Sequence, residues 1–178
     1  MINVDFFDRA CSCFERKPYP PGMELIKPGF DSFGGEINKY LRGKAWHDII
    51  DDDYFMRQLR YEDDIGDIIF SISREALVYF MPGLITHFCA AGTYGDISFF
   101  YNFITRLQPD CADVVEFGGP ALYFPYDEAQ RNLIGDALSF IYSTHGDEYE
   151  EFIGSGNESI SLAQCSVRRA IQLYWHRD

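Results

Sequence analysis

The strongest constraint on how this chain folds is a helical repeat of apolar residues that follows Pro125. Leu133, Ile134, Ala137, Leu138 and Ile141 recur at the spacing of one helix face. Asp127 stands ahead of them as a cap, and Gly146 marks the expected end of that helix. A second run, Leu77, Phe80, Met81, Leu84, Ile85 and Phe88, has the same period. Ser73 is its expected N-cap, with Glu75 in the first turn. Pro82 falls in the middle of this run, and a proline there removes one backbone donor, so a kink or break is expected. Gly92 and Gly95 close the segment.

Shorter periodic segments fill out a helical reading. Val4, Phe7, Cys11 and Phe14 predict an opening helix, ended by Pro18, Pro20, Pro21 and Gly22. A helix over 36–42 is expected to stop at Gly43. Residues 65–72, rich in Ile and Phe, read as a short strand or a buried helical turn. Residues 97–107 read as a helix stopped by Pro109, and 109–126 as an ordered loop with a short extended piece at 121–124. Gly154-Ser155-Gly156-Asn157 reads as a turn. Ser161 and Gln164 have capping-box spacing for a last helix carrying Leu162, Val167, Ala170, Ile171 and Tyr174. The expected fold is mainly α: one irregular helical bundle over residues 1–178, with one or two short strands at most. With 178 residues, 47% hydrophobic and 17% aromatic, the chain has enough apolar area for one sizeable core.

Charge is concentrated. The formal net charge is −13, and two stretches supply −10 of it. From Asp48 to Asp67, eight acids face only Arg57 and Arg60. From Asp147 to Glu151, four acids meet no base. Such a polyanion repels nucleic acid and anionic membrane, so neither is expected as a direct partner. No segment approaches the roughly 20 apolar residues needed to span a bilayer. The first residues, Met1 to Asp8, have neither the basic region nor the apolar run of a secretion signal. Five irregularly spaced cysteines do not read as a disulfide framework. A cytoplasmic protein with reduced thiols is the expectation.

Patterns that would carry chemistry are weak. Cys11-Ser12-Cys13 lacks the gap and the second cysteine pair of a zinc site, and helical spacing is expected to turn Cys11 inward. His47 with Asp48 and Asp51 has no His-Glu-x-x-His repeat beside it. Asp51-Asp52-Asp53 runs straight into Tyr54 and Phe55, which breaks the alternation of a calcium loop. Gly154-x-Gly156 lacks the glycine and lysine of a phosphate loop, and no serine sits in a Gly-x-Ser-x-Gly elbow. No catalytic, cofactor or metal residues are expected, and His47, His87, His145 and His176 are read as structural or solvated. The rival enzymatic reading assembles a site from scattered residues such as His47, Asp51 and Cys89. A third reading is a regulatory or scaffold protein whose acids serve solubility alone.

The acids carry the functional expectation. In the first stretch they alternate with Tyr54, Phe55 and Tyr61; in the second they flank Tyr149 and precede Phe152. Tyrosine supplies contact area and carboxylates supply steering, which is a composition suited to a protein interface. The expected partner-binding residues are Asp51, Asp52, Asp53, Tyr54, Tyr61, Glu62, Asp63 and Asp64. Asp147, Glu148, Glu150 and Glu151 form a second or alternative face, on a turn between the last two helices.

The block Ile68-Ile69-Phe70-Ser71-Ile72-Ser73-Arg74-Glu75-Ala76-Leu77-Val78-Tyr79-Phe80-Met81-Pro82-Gly83-Leu84-Ile85 resembles a family of small, uncharacterised bacterial proteins. In that family an apolar-Ser segment and a short helix lead into an aromatic-aromatic-Leu-Pro motif, in which Met81 here replaces the usual Leu. Trp46 and the helix from Pro125 to Ile141 also look like parts of it, so the resemblance covers residues 44–142. The motif is one of packing and implies no catalytic residue. Members of this kind look like immunity proteins of polymorphic toxin systems, including contact-dependent growth inhibition. The resemblance implies a cognate toxin domain as partner, and the acidity of this chain suits a basic one, such as a nuclease.

Overall fold

The computed structural model describes residues 4–28, 40–50, 72–91, 107, 125–154, 171 and 175, with the backbone alone for 90, 91 and 145–154. Among these residues the protein is mainly α, with three helices and no sheet: α1 Val4–Cys13, α2 Arg74–Ala91 and α3 Glu128–Gly154. The one extended pairing among them is an isolated antiparallel bridge between Ile26 and Ile72. The rest of the 65–72 segment lies outside the described residues, as do 92–106, 108–124 and the expected turn at 155–157.

The starts of α2 and α3 follow from side chains that satisfy free backbone donors. Ser73 Oγ accepts from Ala76 N–H at 3.1 Å and donates to the Glu24 carbonyl, so the cap of α2 also ties down the preceding loop. At α3 the cap is reciprocal. Gln130 N–H donates to Asp127 Oδ1 at 2.9 Å, and Asp127 N–H donates to Gln130 Oε1 at 3.1 Å. Gly43, with φ +79°, sits two residues beyond helical Leu41 in the left-handed region, as its expected role of helix stop requires.

The core is one cluster. Phe80, Leu77, Met81, Leu84 and Ile85 of α2 meet Leu133, Ile134, Ala137, Leu138 and Ile141 of α3, all buried. α1 packs antiparallel to α3: Phe6 stacks near Phe140, Arg9 pairs with Asp136, Gln130 Nε2 donates to the Cys13 carbonyl, and Phe14 meets Tyr126 edge-on. α2 is antiparallel to α1 as well. The Tyr79 hydroxyl donates to the Lys17 carbonyl near the start of α2, and Cys89 near its end faces Ala137, next to the Asp136 that pairs with Arg9. α2 and α3 are therefore parallel, with Cys89 Sγ facing the Ala137 carbonyl at 3.8 Å.

Four sequence expectations need correction. The buried stripe of α1 is Phe6 and Ala10 leading to Phe14, whereas Val4 is 65% exposed and Phe7 and Cys11 are half-buried. The stripe 6/10/14 lies beside the stripe 4/7/11, and contact with α3 selects the former. Cys11 is not turned inward relative to Cys13; both thiols are free and half-buried. Pro82 does not break α2, which runs on to Ala91, with the Thr86 hydroxyl donating to the Pro82 carbonyl at 2.7 Å.

The fourth correction bears on function. α3 does not end near Gly146 but continues to Gly154. One interior glycine costs a helix about 1 kcal/mol, and Glu148, Glu150 and Glu151 are good helix formers, so propagation continues through it.

A short 3-10 turn, Trp46–Asp48, docks on the middle of α2. Its contact is Gly83, where a Cβ would collide with the Trp46 carbonyl oxygen and lie 2.9 Å from Ile49 Cγ1. Trp46 itself is 1% exposed, and its indole N–H donates to the Glu15 carbonyl at 3.2 Å. Pro82-Gly83 is thus a notch in α2 filled by the chain that leads into the first acidic stretch.

Candidate acidic binding surface

The residues expected to meet a partner divide between two situations. Asp51, Asp52, Asp53, Tyr54, Tyr61, Glu62, Asp63 and Asp64 lie outside the described residues. Asp147, Glu148, Glu150 and Glu151 occupy the last two turns of α3, not a turn between helices.

That helical setting changes their electrostatics. The C-terminal end of a helix carries a partial negative charge that disfavours an anion in the last turn, here Glu151, by about 0.3–1 kcal/mol. Acids three and four residues apart, as in 147/150, 147/151 and 148/151, add like-charge repulsion on the same helix. No basic residue stands in the last turn to offset either effect. Ser143 and Thr144, the last side chains of α3 that are described, are exposed. Thr144 stands one heptad beyond Ala137, which is fully buried.

The root of the other acidic stretch is fixed to α2. The ring of His87, 3% exposed, places Nδ1 3.1 Å from the Ile50 carbonyl, one turn before α2 ends. Ile50 immediately precedes Asp51. Since α2 and α3 run parallel, Ile50 lies toward the same end of the bundle as the distal part of α3. From the level of Ala137, beside Cys89, α3 extends roughly 25 Å further to Gly154.

His47 and Cys89, named in the enzymatic alternative, are placed differently. Cys89 is buried against α3, and burial pushes its thiol well up, with the Arg9 charge opposing only in part. His47 stands on the 3-10 turn, its ring edge-on to Trp46 and its Nε2 3.8 Å from Asp48. No hydrogen bond joins the two. Asp51, their proposed third member, lies outside the described residues. Among the described residues no group of three or more His, Cys, Asp or Glu is arranged to hold a metal ion. Among them, too, no helix is long and apolar enough to cross a membrane.

The sequence reading did not find the Gly83 notch or the His87 tether. The Pro82-Gly83 dipeptide inside a helical run was its available signal: a glycine there lowers helix propensity, and close backbone approach is a reason to retain one. No protein-family model matches this chain, and no curated protein or solved structure matches it either.

Proposed function

We propose that this protein is a cytoplasmic immunity protein that neutralises a cognate, basic bacterial toxin domain by non-covalent binding through its acids. The observation that carries this reading is the acidic end of α3. Four carboxylates stand at like-charge spacing on the last two turns of α3, and the helix dipole also disfavours Glu151 in the last turn. Charge placed against the interest of the fold is best explained by a partner that neutralises it.

The tether of Ile50 near the end of α2 supports a bipartite version of this surface, with Asp51–Asp53 and the tail of α3 engaging one partner. A field of this sign steers a basic domain, speeds its association and loses strength with salt. Partner contact by Tyr54 and Tyr61 belongs to the same proposal. Binding, not turnover, is the activity proposed.

The reading expects a toxin gene beside this one, and co-expression with that toxin tests it. The parent protein rescues growth, and a variant with Asp52, Asp53, Asp63 and Asp64 changed to Lys does not, while its helical circular-dichroism signal is retained. Undiminished rescue by the charge-reversed protein contradicts the role given to the first stretch. The same assay with Asp147, Glu148, Glu150 and Glu151 changed to Lys tests the tail separately.

A further inference from the structure

The chain that leaves α1 runs through Lys17-Pro18-Tyr19-Pro20-Pro21. The proline ring fixes φ at 18, 20 and 21, and Lys17, Tyr19 and Pro20, each standing before a proline, are held out of the helical region. The run closes in a type II turn. The Met23 N–H donates to the Pro20 carbonyl at 3.2 Å, with Pro21 in the second position of the turn and Gly22 in the third at φ +80°. Residues 17–21 are therefore extended in the polyproline II manner, with roughly three residues per turn. Such a segment has three edges, here 17/20, 18/21 and 19.

One edge faces the fold. The Tyr19 ring is half-buried, lies edge-on to Tyr79 with centroids 6.1 Å apart, and meets Phe80. Its hydroxyl donates to the Met23 carbonyl at 2.8 Å, and the Tyr79 hydroxyl donates to the Lys17 carbonyl at 2.9 Å. The segment is thus held at both ends and by its middle residue. The other two edges are turned outward: Lys17, Pro18 and Pro21 are exposed and Pro20 is half-buried. A groove grips two edges of such a helix while the third points away, and the third is the one this fold uses as an anchor. Because the segment is already ordered, docking it loses little conformational entropy. Lys17 adds a positive charge, and its pair with Glu15 joins two exposed side chains, so it exchanges readily for another acid.

We propose that residues 17–21 are a docking segment for a second protein whose groove is lined with aromatic side chains and carries acid at its rim to meet Lys17. This partner differs in charge from the basic one proposed for the acidic surface, and the two sites are independent.

Calorimetric titration of the whole protein with an SH3 domain, a groove of this chemistry, tests it. One-to-one binding is expected, and a free peptide containing Pro-x-x-Pro should displace it. Pro18→Ala is expected to weaken the binding about tenfold, and Lys17→Glu to weaken it and lower its salt dependence. Both positions are exposed, so thermal midpoints close to that of the parent separate lost docking from lost folding. Absence of binding by the parent, binding that the peptide does not displace, or equal affinity of the parent and Pro18→Ala overturns the proposal.

Discussion

From Asp127 to Ile141, α3 is fastened throughout: a reciprocal cap at its start, an ion pair from Asp136 to Arg9, and five apolar side chains buried against α2 and α1. From Ser143 to Gly154 the same helix begins with exposed side chains and then carries four acids toward its negative pole. One backbone thus serves two purposes. The proximal half is selected for packing. The distal half carries four acids with no basic residue in its last turn, and these are the charges the proposed partner would neutralise.

The largest effect expected from breaking this contrast is at the proximal half. Leu138→Ala, at a fully buried position, should destabilise by about 2–5 kcal/mol, read from chemical denaturation. A loss under 1 kcal/mol would mean that the α2–α3 seam is not the core.

Alkaline pH probes the same seam through Cys89. Its thiol is raised by burial above its ordinary value of 9.0. Above that value the unfolded chain releases the proton while the folded one keeps it, so stability is full below pH 9 and falls as pH rises. The linked slope is about 1.4 kcal/mol per pH unit for this group alone. Cys89→Ala should flatten the decline between pH 9 and the folded-state value, and an unaltered slope would show that the thiol is not buried as described.

Smaller again is the cap. Asp127→Ala should cost about 1 kcal/mol by removing the bond to Gln130 N–H, with the helical content at the distal end unaffected. The smallest effect, and of opposite sign, belongs to the tail. Changing Asp147 to Asn and Glu148, Glu150 and Glu151 to Gln should leave stability unchanged or raise it by about 0.3–1 kcal/mol, since it relieves the dipole and the mutual repulsion. A clear loss in the denaturation midpoint would mean that these acids serve the fold.

What the sequence revealed follows the same division. The core residues of α2 and α3, the Ser73 cap and the Asp127 cap were legible because local periodicity and cap chemistry are written in neighbouring residues. The stripe of α1 was misread because two adjacent stripes were both apolar, and only contact with α3 chooses between them. The end of α3 was misplaced because Gly146 was read as a stop, whereas the glutamates beyond it carry the helix on. The Gly83 notch and the His87–Ile50 tether escaped because each joins residues more than thirty positions apart. The acids could be counted from the sequence, but their setting on a helix end could not.

The most direct test of the proposed function is the affinity of the tail-neutralised variant for the proposed cognate toxin domain. The expected result is binding at least about tenfold weaker than that of the parent, together with equal or greater folding stability. Affinity equal to the parent's would contradict the account, because the acids at the end of α3 would then have no partner to meet.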